Sequence, residues 1–231
     1  MEKNKNTIIR RCICAPNTLH VREAEEGEAP SRVITGYAIL FNTPSAPLWS
    51  DEDSIAREVI DQSAVTEELL RAQDIKMTMF HDRQLILARS NKGEGTLSYS
   101  VDDKGVSFSF EAPNTADGDK ALELVRRGDI SGCSFIFSTY YYDSSYVERQ
   151  SSIQPTGVED ITYRVKAVTG IYDFTLAIDP YYPETSVEAR EFTDMLREAK
   201  QPQDKKEEPS KALRQQLREM RKKAGKKLII I

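Results

Sequence analysis

The feature that most constrains this chain is a succession of short β-type runs, cut by glycine and aspartate turns, that begins at Arg32. RVITGYAILFN (Arg32 to Asn42), IKMTMFHD (from Ile75), RQLILARS, GTLSYSVDD and GVSFSFEAP read as strands, and IKMTMFHD puts its apolar residues at every second position. A period of two is that of strands with one face toward a core. In IKMTMFHD, Ile75, Met77 and Met79 share one face, and Lys76, Thr78 and Phe80 the other. Asp103-Lys104-Gly105 reads as a hairpin loop between neighbouring strands, and Gly36 as a bulge or a close backbone approach. REVI (Arg57 to Ile60) is a further short strand. Two segments break the pattern with helical spacing. One is AVTEELLRAQ, through Val65, Leu69 and Leu70; the other is ADGDKALELVRRG, with Asp117 or Asp119 near its start and Gly128 past its end. SGCSFIFSTYYYD follows at once as a strand, Ser144 to Asp160 reads as a polar excursion, and TYRVKAVTGIYDFTLAI as two strands around Gly170. With roughly ten strands and three or four helices, the class is α+β with β predominant.

The ends differ from this middle. Residues 1–31 hold one β-like run, Thr7 to Cys14, and the acidic loop EAEEGEAPS. After Pro180 and Pro183, SVEAREFTDMLREAK has the look of a terminal helix and QPQDKKEEPS that of a linker. KALRQQLREMRKK then sets Leu213, Leu217 and Met220 on one face of a short basic helix. The formal net charge of −5 hides a division, because residues 200–231 carry eleven Lys and Arg against four Asp and Glu. An acidic body with a basic tail is not the footprint of a nucleic-acid-binding domain, so no specific nucleic acid is expected. No apolar run approaches the ~18 residues of a membrane span, and the start lacks the apolar core of a secretory signal; the expectation is a soluble protein made in a cytoplasm. Cys12, Cys14 and Cys133 form neither a disulfide framework nor a zinc pattern, which fits reduced thiols. The glycines of NKGEGT and GDISG match no phosphate or dinucleotide loop, so neither cofactor nor metal is expected.

Two segments carry candidate chemistry. MTMFHD ends in His81 and Asp82, and His81 is one of two histidines. GDISGCSFIF sets Ser134 between Cys133 and Phe135. Imidazole is the side chain best suited to accept a proton near neutral pH, and a serine fixed by apolar neighbours can hold one geometry. Taken singly, a lone histidine is more often structural and a strand serine more often ordinary. The GxSxG elbow of the α/β-hydrolases is absent. As a pair they suggest a serine hydrolase of His…Ser order, with the acid open.

GDISGCSFIF resembles the G-x-L-x-G-x-S-(I/F)-G-F stretch of tailed-phage prohead maturation proteases, and MFHD resembles that family's histidine segment. GYAILFN (Gly36 to Asn42) is similar to its opening strand, the helix before Gly128 to its A-L-G element, and IYDFTLAIDPYYPETSVEAR to its closing L-x-E-V-S-L-V-x-x-P segment. The five matches fall in order over residues 32–190. Phe135-Ile136-Phe137 and PYYPETSVEA depart from the family pattern, which bears on pocket shape more than on proton chemistry.

The resemblance implies Ser134 as nucleophile, His81 as general base and Asp173 as the acid that orients imidazole. Asp82 is a weaker third member, since neighbours on a strand point to opposite faces. Asp129, a turn or cap residue, is weaker still, and Ser131 would face away from Ser134. It also implies a fold like that of herpesvirus assembly proteases, a small, partly closed β-barrel with peripheral helices. The catalytic domain would then be residues 32–199, flanked by 1–31 and by the basic tail 200–231. The implied activity is cofactor-free serine endopeptidase chemistry inside the procapsid of an infected host cytoplasm. It would be directed at scaffold or the scaffolding extension of the major capsid protein, and at the protease itself. A homodimer, and docking of the tail on acidic shell surfaces, are further implications. Two rivals stand beside this reading. One is a non-catalytic assembly protein on the same fold; the other is a β-rich binding module that uses Tyr140 to Tyr142 and Tyr181 to Tyr182 as its contact surface.

Overall fold

A computed structural model describes residues 7–13, 18–23 and 29–177, the first of these as backbone only. The terminal helix, the PYYP tyrosines and the basic tail of the sequence reading lie outside the described residues. In chain order the strands are β1 (Thr7–Ile13), β2 (His20–Val21), β3 (Val33–Leu40), β4 (Trp49–Ser50), β5 (Ser54–Ile60), β6 (Asp74–Met79) and β7 (Asp82–Asn91). They continue with β8 (Glu94–Gly95), β9 (Leu97–Val101), β10 (Gly105–Glu111), β11 (Gly132–Thr139), β12 (Val147–Ile153), β13 (Glu159–Val165) and β14 (Gly170–Ala177). Helix α1 (Glu67–Ala72) precedes β6, and α2 (Ala116–Arg127) precedes β11.

The strands form three sheets. The largest has the order β1-β11-β14-β6-β7-β8, and the others are β2-β3-β10-β9 and β12-β13-β5-β4. The protein is mostly β with few helices, as expected. Among the described residues the strands do not close into one barrel: they form three sheets, two of which meet at isolated bridges such as Phe41 to Ile60. Closure depends on which strand edges meet across the molecule, and a pattern of local alternation does not encode that.

Alternation places the core. Ile34, Val106, Phe108, Phe110, Ile75, Met77 and Met79 are buried from successive strands, while β11 and β14 add Phe135, Phe137, Phe174 and Leu176. These last two strands are central in the large sheet and buried on both faces, so their second face also carries buried groups. Gly36 is a close-approach position, because a Cβ there would come within 2.6 Å of the Thr18 carbonyl oxygen. Asp117 and Asp119 sit in the first turn of α2, as the sequence suggests, and the cap before them is Thr115, whose side chain accepts from Gly118 N–H at 3.2 Å. At the other end Gly128 takes the left-handed conformation at φ 78° and donates its N–H to the Val125 carbonyl. That stop turns the chain directly into β11, which bears Ser134.

The polar excursion is in fact a β-hairpin. Strands β12 and β13 pair antiparallel from Val147↔Val165 to Ile153↔Glu159, and β13 adds to β5 in parallel. One face buries Val147, Ile161, Tyr163 and Val165, whereas Gln150, Ser151 and Ser152 face solvent. The solvated outer face removes the apolar signal from VERQSSI.

Candidate active site

The first element of the site is the β6–β7 turn. Strand β6 stops at Met79 and β7 starts at Asp82, its register partner, which leaves Phe80 and His81 as a two-residue connection. Both residues have φ 57°. Positive φ at both central positions is the geometry of the hairpin turns that match strand twist, and it normally selects Asn or Gly. Two residues of other types in left-handed backbone cost on the order of 1 kcal/mol or more each, and such strain persists only where surrounding bonds impose it. Here the bonds come from β14: Phe80 N–H donates to the Leu176 carbonyl at 3.1 Å, and His81 N–H to Thr175 Oγ1 at 2.9 Å. The sequence reading kept Phe80 and His81 in the strand; they curl over its end instead.

That curl brings three distant residues together. His81 Nε2 lies 2.9 Å from Ser134 Oγ, and His81 Nδ1 lies 2.7 Å from Asp173 Oδ2. A carboxylate can only accept, so the Nδ1 position beside Asp173 carries the proton and Nε2 is left as the acceptor facing the serine hydroxyl. Ser134 is 5% exposed and Asp173 7%.

Strand register explains the meeting. Ser134 on β11 pairs with Thr175 on β14, and Thr175 pairs with Thr78 on β6, so the three form one row across the sheet. Asp173 lies two residues before Thr175 and faces the same side. The Thr78 hydroxyl is 3.0 Å from Asp173 Oδ1 and 2.9 Å from Thr175 Oγ1. Thr78 and Thr175 are fully buried, so these bonds satisfy groups that would otherwise be costly to bury. The carboxylate thus receives bonds from both the imidazole and Thr78, and Thr175 holds the backbone of the histidine.

The other candidates are placed elsewhere. Asp82 Oδ1 accepts from Gln84 N–H at 2.8 Å, Asp129 pairs with Arg127 at 3.0 Å, and Ser131 precedes β11 rather than lying on it. Burial pushes the Cys133 thiol up, out of the range in which thiolate is present at neutral pH, so it is no rival nucleophile. The tyrosine surface is broken up. Tyr141 is buried with its hydroxyl donating to the Glu58 carboxylate, Tyr140 packs edge-on against Tyr146, and only Tyr142 of the three is exposed. Thr78 and Thr175 were missed by the sequence reading. The spacing of Asp173 and Thr175 was legible as one strand face, but Thr78 reaches them only through pairing across 95 and 97 positions. Among the described residues no helix is long and apolar enough to cross a membrane, and no group of three or more His, Cys, Asp or Glu is placed to hold a metal.

The model of the caudovirus prohead serine protease family matches residues 17–198. No curated protein sequence matches the chain. Among solved structures, the capsid assembly protease of bacteriophage T4 is similar at 10% identity, over 73% of this chain and 98% of that one, with a TM-score of 0.35.

Proposed function

The chain belongs to the caudovirus prohead serine protease family, and from that premise we propose that it is a serine endopeptidase with Ser134 as nucleophile, His81 as general base and Asp173 as the orienting acid. Its substrates are scaffold or the scaffolding extension of the major capsid protein, and its own chain, cut within the procapsid. The herpesvirus-like arrangement and a homodimer belong to the same proposal.

The observation that carries this reading is the pair of distances on the imidazole, 2.9 Å to Ser134 Oγ and 2.7 Å to Asp173 Oδ2. A non-catalytic descendant has no reason to keep both within hydrogen-bond reach, on a turn held in unfavourable backbone. In the reaction, Ser134 Oγ attacks the scissile carbonyl carbon as its proton passes to His81 Nε2. Asp173 stabilises the imidazolium so formed. The proton then goes to the departing amine, which leaves an acyl-serine ester. Water, deprotonated by the same imidazole, hydrolyses that ester and restores the serine.

The test is covalent capture. A fluorophosphonate that reacts with activated serines is expected to add once, at Ser134, and to stop cleavage of procapsid precursor proteins in step with labelling. Protein that cuts the precursors at full rate while Ser134 stays unlabelled would overturn the assignment.

A second expectation concerns Thr175. Thr175→Val keeps the shape but removes the acceptor for His81 N–H, and an imidazole displaced by a fraction of an ångström to 1 Å is expected to lower kcat roughly 10–100-fold. Thr175→Ser should restore the rate. Separate measurement of kcat and KM, with a melting curve for each variant, distinguishes positioning from general damage; an unchanged kcat in the valine variant would remove Thr175 from the machinery.

A further inference from the structure

Strand β11 has two edges. One is taken by β14, whose register sets Asp173 and Thr175 beside the serine strand. The other is taken by β1, paired antiparallel without interruption from Thr7↔Thr139 to Ile13↔Cys133, with Cys12 opposite Ser134. Among the described residues, strand β1 stands at the end of its sheet with no second partner strand there. It also precedes the stretch shared with the family.

A protease must hold its substrate extended, and the most general way to hold an extended chain is to give it a strand edge to pair with. The main chain of β11 beside Ser134 offers such an edge on one side only, and β1 occupies that side. The nucleophile itself is largely covered, at 5% exposure.

We propose that the β11 edge is the binding surface for the extended peptide substrate, and that β1 is a resident stand-in which the substrate must displace. The proposal rests on Ser134 being the nucleophile. The exchange replaces one antiparallel ladder by another, so its hydrogen bonds nearly cancel and the balance is set by concentration. A tethered strand competes at an effective concentration of about millimolar. Dilute proteins therefore lose to β1, whereas substrates packed together with the protease in a closed shell can win. On this account β1 keeps the enzyme quiet until it is confined with its substrates.

The test uses the full-length chain and a fluorescein-labelled peptide copying residues 5–15, with serine in place of its two cysteines. Consecutive residues of an edge strand point their N–H groups alternately into the ladder and away from it. Of the two variants Ile9→Pro and Arg10→Pro, one therefore deletes a ladder bond and the other serves as its control. By fluorescence anisotropy the ladder variant is expected to bind the peptide at least tenfold more tightly than the parent chain, and bound peptide should slow fluorophosphonate capture of Ser134. The control should bind between the two. Binding within twofold of the parent in both variants would overturn the proposal. So would complete loss of a folding transition in the ladder variant, because β1 would then be a fixed part of the core. If peptide binding behaves as expected but no variant labels at Ser134, the edge stands and the assignment of the nucleophile fails.

Discussion

Ser134→Ala and His81→Ala are each expected to lower cleavage of the capsid or scaffold precursor on the order of 10⁶-fold in kcat, and the double variant no further. The reason is mutual dependence. A serine hydroxyl is a poor nucleophile until a base takes its proton during attack, and an imidazole that loses the Ser134 hydroxyl, 2.9 Å away in the parent, has no proton to take. The fold should survive both changes. Ser134 shares a row with Thr175 and Thr78 whose mutual bond does not pass through the serine hydroxyl. In His81→Ala the backbone N–H that donates to Thr175 is retained, although alanine must still take the left-handed turn. Precursor cleavage followed by gel and by mass spectrometry, beside a melting curve, separates loss of chemistry from loss of structure. Activity of Ser134→Ala within tenfold of the parent would rule out the mechanism.

What could be read from the sequence was what is local. Strands β6 and β10 follow from alternation, because each puts a row of large apolar side chains into the core at every second position, whereas β3, β11 and β14 were legible as short runs rich in β-branched and aromatic residues. Helix α2 was legible from its buried stripe at Ala121, Leu122 and Val125 and from the glycine beyond its end. Strand β12 was not, since its solvent face is Gln150 and serines and only its partner β13 makes it a strand. The three catalytic candidates were legible only as motifs in order. The turn that aims His81 was hidden because Phe-His carries neither of the residues that announce a tight hairpin. Its shape comes from two hydrogen bonds to β14, about 95 positions away. Thr78 was hidden for the same reason, since the parallel pairing of β6 with β14 is non-local.

Asp173→Asn is the change that asks most of the geometry. The two side chains have nearly the same shape, so packing around the buried site should be preserved and the melting temperature close to that of the parent. The chemistry is altered in two ways. The negative charge that stabilises imidazolium is gone, and the amide can turn its NH₂ toward Nδ1, which moves the imidazole proton to Nε2. A proton on Nε2 faces Ser134 Oγ with a donor where an acceptor is required. Together these are expected to reduce kcat by about 10⁴-fold. Asp82→Asn is the matched control. Its carboxylate caps Gln84 N–H on the exposed side of β7, a role that asparagine can fill, so cleavage should stay within a few-fold of the parent. The reverse result, with Asp82→Asn inactive and Asp173→Asn within tenfold, would show that the 2.7 Å contact to Nδ1 is structural and that the acid of the site lies elsewhere.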